Sequence, residues 1–191
     1  MTKYFLHDTS IVDEPTDIGE NTKIWHYSHV MKNAKIGHNC IIGQNVFISE
    51  GVIIGNNVKI QNNVSIYKGV ICEDDVFIGP SAVFTNVTNP RSFVERKNEF
   101  KDTIIKKGSS IGANSTIICG IILGTYSLIG AGSVVTKNVK NFEIIVGNPS
   151  KHLGWISKNG DRLKFNNSNR AICKISNDKY ILENDMVNID E

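Results

Sequence analysis

Apolar and polar positions repeat every six residues between Val12 and Val83. A branched aliphatic residue opens almost every hexad, and a small or β-branched residue follows four positions later. Periods of 2 and 3.6 residues both fail over this length, which argues against a plain strand and an amphipathic helix. A six-residue period is typical of a parallel β-helix, in which each hexad forms one short side of a coil. The opening residues are Val12, Ile18, Ile24, Val30, Ile36, Ile42, Ile48, Ile54, Ile60, Ile66, Cys72 and Ile78.

The polar positions of the hexads agree with this interpretation. Three residues after most opening positions stands Asn, Gly or Asp, for example Asn21, Gly51 and Asp75. These residue types tolerate the left-handed backbone region that a sharp corner requires. With three hexads per triangular coil, eighteen residues complete one turn. The sequence therefore predicts an all-β protein built as a parallel β-helix of hexapeptide repeats.

The repeat has one interruption. It stops after Phe84 and resumes in a new phase at Ile105, so residues 85–104 form a long loop that protrudes from the coil. Loops of this length inside a compact repeat are uncommon and usually functional. We expect residues 1–151 to form the β-helix domain, and residues 152–191 to form a C-terminal tail.

The two ends of the chain break the pattern in different ways. Residues 1–11 are expected to form a leading strand that caps the open end of the coils, since an uncovered end exposes apolar side chains and unpaired backbone. The tail is polar and unrepetitive, but weak alternation predicts short strands or a hairpin in it. The alternating residues are Leu163, Phe165, Ile172, Ile175, Tyr180 and Leu182.

Amino-acid composition and charge restrict the classes of binding partner that we expect for the protein. The formal net charge is +2, with 21 Lys and Arg against 19 Asp and Glu, so bulk electrostatics favours neither nucleic acid nor a membrane surface. The segment from Met1 to Ser10 lacks the apolar core of a secretory signal, and the cytoplasm is the expected location. Cys40, Cys72, Cys119 and Cys173 have no metal or redox spacing, and packing is the expected role of those that point inward.

Polar residues fall into columns when the chain is stacked at eighteen residues per coil. His26, Gln44 and Asn62 share one column, and Tyr27 starts the neighbouring column with Asn45 and Asn63. Asn45 and Asn63 are better explained as a hydrogen-bonded ladder without function. Trp25, His26 and Tyr27 form a bulky wall beside this edge, and His29 points from a strand near it.

The loop carries amide, guanidinium and carboxylate groups suited to phosphate or sugar hydroxyls. Because it leaves a rigid scaffold, we expect these groups to contribute to a binding site, with a solvated polar loop as the alternative. The residues concerned are Asn86, Asn89, Arg91, Glu95 and Arg96.

These motifs resemble the left-handed β-helix acyltransferases of nucleotide-sugar metabolism. The likeness rests on the hexads together with the loop segment Phe84–Ser92 (FTNVTNPRS) and the closing segment Gly147–Lys151 (GNPSK). The likeness is more specific to one branch of these enzymes. That branch acetylates the 3-amino group of UDP-2-acetamido-3-amino-2,3-dideoxy-D-glucuronate in the synthesis of lipopolysaccharide O-antigen sugars. The neighbouring branch, which acts on dTDP-3-amino-3,6-dideoxyhexoses, shares the fold and part of the loop motif. The segments shared with the first branch are Ile24–His26, Gly43–Phe47, Ile60–Ser65, Glu73–Phe77 and Glu95–Lys97.

The resemblance implies a left-handed coil and a homotrimer with parallel axes, whose active sites lie in clefts between subunits. Acetyl-CoA would be the co-substrate, and the nucleotide sugar would lie under the loop. Substrate-binding residues would be His26, Tyr27, Gln44, Asn62, Asn89, Arg91, Glu95 and Arg96. The pantetheine arm would contact Gly112, Ala113, Gly130 and Ala131, and the adenine and phosphates would lie near Asn148, Pro149 and Lys151.

The expected mechanism is direct attack of the neutral sugar amine on the thioester. Asn86 would orient the amine by accepting a hydrogen bond, and a backbone N–H would stabilise the oxyanion. His29 is the alternative as a general base. Arg91 or Arg96 would pair with the diphosphate or with a sugar carboxylate. Two rival classes share the fold: a γ-type carbonic anhydrase with histidine-bound zinc, for which the histidine spacing is unsuitable, and a non-catalytic β-helix scaffold.

Overall fold

The structure, a computed structural model, describes residues 4–190 as a three-sided parallel β-solenoid of about eight coils followed by a small antiparallel region. Strands are numbered in chain order. The first sheet contains β1 (Phe5–Leu6), β4 (Lys23–Ile24), β7 (Ile41–Ile42), β10 (Lys59–Ile60), β13 (Phe77–Ile78), β16 (Ser110–Ile111), β19 (Leu128–Ile129), β21 (Glu143–Val146), β22 (Lys151–Ile156) and β23 (Arg162–Leu163). The second contains β2 (Ile11–Val12), β5 (His29–Val30), β8 (Phe47–Ile48), β11 (Ser65–Ile66), β14 (Val83–Phe84), β17 (Thr116–Ile117) and β20 (Val134–Val135). The third contains β3 (Asp17–Ile18), β6 (Lys35–Ile36), β9 (Ile53–Ile54), β12 (Val70–Cys72), β15 (Thr103–Ile105) and β18 (Ile122–Leu123).

The coils stack at the predicted spacing. Lys59 pairs with Phe77, eighteen residues later, and the same offset recurs along the first part of every sheet. Residues that open the hexads point inward, and Ile24, Ile42 and Ile60 are fully buried. Burying one such side chain contributes about 1.5–3 kcal/mol, so the stacked column of isoleucines is the main source of stability. The predicted class, an all-β hexapeptide-repeat solenoid, is confirmed, while the left-handed winding stays an expectation from the resemblance.

The start of the chain is the first coil and not a separate cap. Phe5 pairs with Lys23 and Leu6 with Ile24, at the same eighteen-residue offset as the later coils. Of the leading strand expected in residues 1–11, residues 5 and 6 are present as β1, the end strand of the first sheet, and they belong to the first coil; the first three positions lie outside the described residues. Leu6 lies six positions before Val12 and so already keeps the six-residue period.

The corners adopt the backbone conformation that their residue types predict. Asn21, Asn39 and Asp75 have φ near +60°, as does Gly51 at +70°. Tyr126, which breaks the Asn and Gly pattern, also turns its corner with φ +55°. This bulky residue is accommodated because its ring packs outside the coil, 5.5 Å from the Phe142 ring and against Gly108.

The loop is shorter at its end than predicted. β14 ends at Phe84 and β15 begins at Thr103, so the excursion spans residues 85–102, and Thr103 and Ile104 belong to the third sheet. Across it the pairing offset rises from eighteen to 33 residues, as between Val70 and Thr103. The extra residues therefore leave the stack without changing the register of the coils on either side.

The tail continues the fold. β22 pairs antiparallel with β21, so the boundary expected between residues 151 and 152 falls inside a strand. The predicted short strands are present as β22, β23 and a separate sheet of β24 (Arg170–Ile172), β25 (Lys179–Glu183) and β26 (Met186–Ile189). Trp155, Tyr180 and Val187 bury a second small core against Phe142 at the last coils. No helix within residues 4–190 has the length and apolar character needed to span a bilayer.

Replacing Glu73 with Gln should destabilise the junction across the loop. Glu73 follows β12, and its carboxylate accepts bonds from Lys106 Nζ at 2.8 Å and from Lys107 N at 2.9 Å, just after β15. The hydrogen bond from Lys106 lowers the pKa of Glu73. Because the folded-state pKa is lowered, the stabilisation is present above the unfolded pKa and is lost as pH falls through the folded pKa. Since the side chains of Glu73 and Lys106 are both partly exposed, we expect Glu73→Gln to lower the free energy of unfolding by about 1 kcal/mol or less at neutral pH. Urea titrations measure this difference.

In acid the wild type and Glu73→Gln should become equally stable. Glu183→Gln, which alters an exposed carboxylate in β25, is the control and should show no difference at either pH. A pH-independent deficit in Glu73→Gln would contradict the assigned ion pair.

Two glycines of the coil should differ in their tolerance of alanine. A Cβ on Gly112 would meet Ala131 N at 2.5 Å and Gly130 C at 2.8 Å, which are backbone atoms of the next coil. A Cβ on Gly130 would meet a side chain, Val146 Cγ1 at 2.6 Å, with the nearest backbone atom at 3.4 Å. We expect Gly112→Ala to lower the free energy of unfolding by about 1–3 kcal/mol and Gly130→Ala by clearly less, because Val146 can rotate. Equal losses in denaturant titrations would contradict this difference.

Candidate functional site

The predicted residues of the scaffold lie along one edge. The first edge is defined here as the corner that joins the first sheet to the second sheet. A ladder of backbone hydrogen bonds runs along it, in which Asn45 N donates to His26 O and Asn63 N to Gln44 O, both at 2.9 Å. The same ladder continues past the loop, where Asn114 N donates to Pro80 O and Gly132 N to Ala113 O. His26, Gln44, Asn62, Ala113 and Ala131 therefore belong to one continuous edge of the solenoid.

The wall predicted at the beginning of this edge is present. The His26 ring stacks on the His7 ring at 3.5 Å, and Trp25 packs against Phe5 at 5.3 Å. Tyr27 turns the corner with φ +56°, and its side chain is 63% exposed. The first coil thus holds these rings in place while leaving the outer surfaces of Trp25 and Tyr27 open to a ligand.

Amides occupy the next two coils of the edge. Asn62 Oδ1 accepts a hydrogen bond from Gln44 N at 2.8 Å, which fixes the Asn62 amide. Asn45 Nδ2 donates to Asn63 Oδ1 at 3.0 Å, so these two asparagines form the ladder expected of them. The side chain of Gln44 is exposed and makes no hydrogen bond within residues 4–190.

Gly112, one of the two glycines assigned to the pantetheine arm, has an explanation within the fold. A Cβ on Gly112 would collide with the backbone of the next coil, and the same holds for Gly79 one coil earlier. Their absence of a side chain is required by coil stacking and does not by itself indicate a ligand. Ala113 and Ala131 lie beside them on the first edge, where Ala131 is exposed and Ala113 half-buried.

The closing segment lies at the far end of the same edge. Val134 N donates to Gly147 O at 3.0 Å and Ser150 N donates to Val134 O at 2.9 Å. Asn148 and Pro149 form the exposed turn between β21 and β22, and Lys151 is the exposed first residue of β22. All the residues assigned to the coenzyme are therefore aligned along one edge.

The loop leaves from a different edge. The second edge is defined here as the corner that joins the second sheet to the third sheet. At the base of the loop, Lys101 N donates to Asn86 O at 3.0 Å and Cys119 N donates to Thr85 Oγ1 at 2.9 Å. The Asn86 backbone is thereby fixed, while its half-buried side chain makes no hydrogen bond within the described residues. An amide held in this way can accept a bond from a ligand without first breaking one.

The charged loop residues are not equally available. Arg96 Nη1 donates to both carboxylate oxygens of Glu99 at 2.8 Å, across the short 3-10 helix Lys97–Glu99. Glu95 pairs with Lys97 at 3.1 Å on the surface. The guanidinium of Arg91 donates only to the carbonyl of the adjacent Pro90. Within the described residues, Arg91 is thus the loop arginine without an acidic partner, and Asn89 beside it is exposed.

His29 belongs to neither group. Its Nε2 lies 3.0 Å from Asp13 Oδ2 on the outer surface of the second sheet, and both side chains are 40% exposed. In sheet order, Phe47 and Ser65 separate His29 from Val83, next to the loop. Three strand spacings of about 4.8 Å make this separation roughly 14 Å. His29 is therefore remote from Asn86 within one chain.

Sequence reasoning missed two features of the site. Gln61, which adjoins Asn62 on the first edge, lines a groove with Trp25 and Gln44. Phe93 lies at the outer part of the loop and is 86% exposed. The apolar pair Phe93-Val94 in an otherwise polar loop was the available signal for Phe93, whereas Gln61 could not be separated from the other amides of the repeat.

No group of three or more His, Cys, Asp or Glu side chains within residues 4–190 is arranged to hold a metal ion. The cysteines are buried, and burial raises the pKa of the Cys72 thiol.

Taken together, the structure aligns the scaffold residues on the first edge and places Asn86, Asn89, Arg91, Glu95 and Arg96 on the loop at the second edge. The width of the second sheet lies between the two groups in one chain.

Comparison with known proteins agrees with this architecture. The family model described as bacterial transferase hexapeptide (six repeats) matches residues 15–50 and 102–137, and the hexapeptide repeat of succinyl-transferase matches residues 33–68. A dTDP-3-amino-3,6-dideoxy-alpha-D-galactopyranose 3-N-acetyltransferase from Aneurinibacillus thermoaerophilus is 45% identical over 75 residues, which cover 39% of this chain and 38% of that protein. A serine acetyltransferase from Buchnera aphidicola is 34% identical over 96 residues, which cover 50% of this chain and 34% of that protein. The matches thus span less than half the length of these relatives.

Two solved structures with the same fold are acetyltransferases in complex with coenzyme A or acetyl coenzyme A. A galactoside acetyltransferase in complex with coenzyme A superposes with a TM-score of 0.58 at 26% identity, covering 70% of this chain and 68% of that chain. A hexapeptide-repeat acetyltransferase from Vibrio cholerae, in complex with acetyl coenzyme A, has a TM-score of 0.53 at 21% identity and covers 78% and 72% of the two chains. Over its repeats the chain is therefore similar to hexapeptide-repeat acetyltransferases, and the two solved structures share its fold.

Proposed function

We propose that the protein is an N-acetyltransferase that transfers the acetyl group of acetyl-CoA to the 3-amino group of a nucleotide-linked amino sugar. The observation that carries the proposal is the fixed backbone and unpaired amide of Asn86, at the base of the one long loop of a hexapeptide solenoid. The similarity to an enzyme named for acetylating a dTDP-3-amino sugar supports the choice of acceptor. The similarities to acetyltransferases support the choice of donor.

The mechanism needs little from the protein beyond alignment. The lone pair of the sugar amine attacks the thioester carbonyl, an N–C bond forms, the C–S bond breaks, and the departing thiolate takes the proton of the amine. Asn86 Oδ1 accepts a hydrogen bond from the amine and directs its lone pair. Holding two reactants in line is a major source of rate enhancement, and it requires a rigid support. The bonds of Lys101 N and Cys119 N at the base of the loop supply that support.

The two candidate acceptors differ in charge near the reacting carbon. A UDP-linked 3-amino glucuronate carries a carboxylate, whereas a dTDP-linked 3-amino-3,6-dideoxyhexose is neutral there. The name of the relative from Aneurinibacillus thermoaerophilus favours the dTDP-linked sugar. The sequence segments shared with the first acyltransferase branch, such as Ile24–His26, favour the uronate, which would be a precursor of lipopolysaccharide O-antigen. Arg91 is the loop guanidinium available to an anion, because Arg96 is engaged by Glu99. We therefore propose Arg91 for the anionic contact and a supporting role in the loop for Arg96.

A complete site would need two copies of the chain. The scaffold residues lie on the first edge and Asn86 on the second edge, with β14 and its sheet between them. A heterologous contact that closes into a ring brings a different edge of each neighbour together, as in a trimer. The exposed Phe93 and Val94 of the loop would then pack against the adjacent subunit. We propose a homotrimer in which the loop of one copy meets the first edge of the next copy.

The function is tested by assaying the purified protein with acetyl-CoA against both sugars. Acetyl transfer to one of them is expected, and no turnover with either would contradict the proposal. Asn86→Ala should lower kcat by about tenfold or more, because the amine loses the group that aligns it. Asn98→Ala, a change in the exposed 3-10 helix of the same loop, is the control and should keep the wild-type rate.

The two-copy site predicts complementation between impaired variants. Asn86→Ala disables the loop, and Ala131→Trp blocks the exposed corner of the first edge. Each variant alone should have at most about a tenth of the wild-type activity, since all its clefts contain one damaged component. Co-expressed in equal amounts, they should regain about a quarter of wild-type activity, because one cleft in four pairs an intact loop with an intact edge.

The mixture should be compared with the variants purified separately and mixed without exchange of subunits, which should regain no activity. Light scattering of each variant confirms that the oligomer forms. Absence of regained activity in verified mixed oligomers would mean that each site is built within one chain.

A further inference from the structure

A groove on the first edge contains His26, Gln44 and Asn62, which the resemblance assigns to the nucleotide sugar without saying which part of the sugar nucleotide they contact. It encloses about 330 Å³ and extends over the second, third and fourth coils. Trp25 and His26 form its wall, the partly exposed Ile41 contributes apolar surface, and Gln44, Gln61 and Asn62 line its other side. The rings of the wall are held from behind by Phe5 and His7, so the groove is formed before any ligand arrives.

The groove carries no Lys, Arg, Asp or Glu in its lining. Other grooves of the described residues are different: the one near His38 is lined by Asp17, Glu20 and Lys35, and one near the tail by Lys164 and Arg170. A phosphate or carboxylate placed in the groove beside Trp25 would lose hydration without gaining a cationic partner. An uncharged group therefore fits the lining of the groove better than an anion does.

The polar groups of the groove are those that recognise an imide or amide edge. The side chains of Gln44 and Gln61 make no hydrogen bond within residues 4–190, and each presents both a donor and an acceptor. Asn62 Oδ1 is occupied by Gln44 N at 2.8 Å, which leaves the Asn62 NH₂ as a donor. A planar ring that stacks on Trp25 and presents alternating C=O and N–H groups satisfies these side chains.

The position of the groove along the edge fits the same occupant. Ala113 and Ala131, the positions proposed for the coenzyme arm, lie on the same edge, and Ala113 is two to three coils from Gln44 and Asn62. This separation is roughly 10–14 Å at 4.8 Å per coil. A base in the groove would therefore leave the ribose and diphosphate to extend along the first edge toward the loop of the neighbouring copy in the proposed trimer, where Arg91 is available.

We propose that this groove binds the pyrimidine base of the nucleotide sugar, by stacking on Trp25 and by hydrogen bonds to Gln44 and Gln61. The inference rests on the proposed function for the presence of a nucleotide, but its binding test does not need turnover. Uracil and thymine have the same imide edge and differ by the methyl group of thymine. Comparing the binding of UMP and dTMP therefore shows which of the two bases the groove prefers.

The experiment titrates the full-length protein with UMP and dTMP, and with ribose 5-phosphate and inorganic diphosphate as ligands without a base. Calorimetry and quenching of Trp25 fluorescence measure binding. Trp25 is 38% exposed and Trp155, the other tryptophan, is 7% exposed, so the quenched signal belongs to Trp25 and should vanish in Trp25→Phe. At least one of the two nucleotides should bind. Ribose 5-phosphate and inorganic diphosphate should each bind at least about tenfold more weakly than that nucleotide.

Trp25→Ala and Gln61→Ala should each weaken nucleotide binding by about tenfold or more and leave the affinity for acetyl-CoA unchanged. Phe77→Ala is the matched control, because Phe77 is an aromatic residue of the same sheet with the same 38% exposure. It should bind nucleotides as the wild type does. Thermal melts identify any variant that fails to fold, and Trp25→Phe and Gln61→Ala provide the readout if Trp25→Ala unfolds.

Equal nucleotide affinity in the wild type, Trp25→Ala and Gln61→Ala would overturn the assignment, as would ribose 5-phosphate binding as tightly as UMP and dTMP. Failure of the proposed function has a different signature. In that case no acetyl transfer is observed with either amino sugar, while Trp25-dependent nucleotide binding persists.

Discussion

Stacking of coils at a fixed spacing is the constraint on which the rest of the structure depends. Each opening residue of a hexad, such as Ile42 or Ile60, is buried directly above the corresponding residue of the preceding coil. Backbone hydrogen bonds between coils require the same spacing, because a slip of one residue would turn the apolar side chains outward. Coil contact is also close enough that a Cβ on Gly79 would meet the backbone of residues 111–113 at 2.7–2.8 Å. Buried apolar area and backbone geometry thus enforce the same register.

A fixed register assigns every side chain to one edge or one sheet. A sequence position can be transferred from one edge to the next only by inserting six residues before it. Functional side chains on one edge therefore remain in a column along that edge. The loop shows the alternative: residues 85–102 leave the stack at the second edge, and pairing resumes in register between Val70 and Thr103. Because the insertion leaves the ladder intact, its composition is free of the hexad rule, and polar residues such as Asn86 and Arg91 can be placed there.

The fold and the columns could be predicted from the sequence, since one short period determines both. Burial of Ile24 and exposure of Gln44 follow directly from their hexad positions. The partners of the loop residues could not be predicted in this way, because no period governs them. The pairing of Arg96 with Glu99 and the fixed backbone of Asn86 depend on how the loop folds on itself. The stacking constraint on Gly112 could not be predicted for a related reason: its nearest neighbours belong to another coil, which spacing along the chain does not reveal.

The division of polar groups between two edges follows from the same geometry, and for the proposed two-substrate reaction it means that a single coil stack would be insufficient. A rigid prism presents its edges outward, away from each other, and it cannot fold one edge onto another without breaking the stacked core. A mobile domain could close over its substrates, whereas a prism can only bring a second surface to them. The exposed Phe93 on the loop and the exposed Trp25 and Tyr27 on the first edge are apolar surfaces of this kind. Rigidity of the core thus favours a site assembled between copies, in which alignment is set by packing of whole subunits.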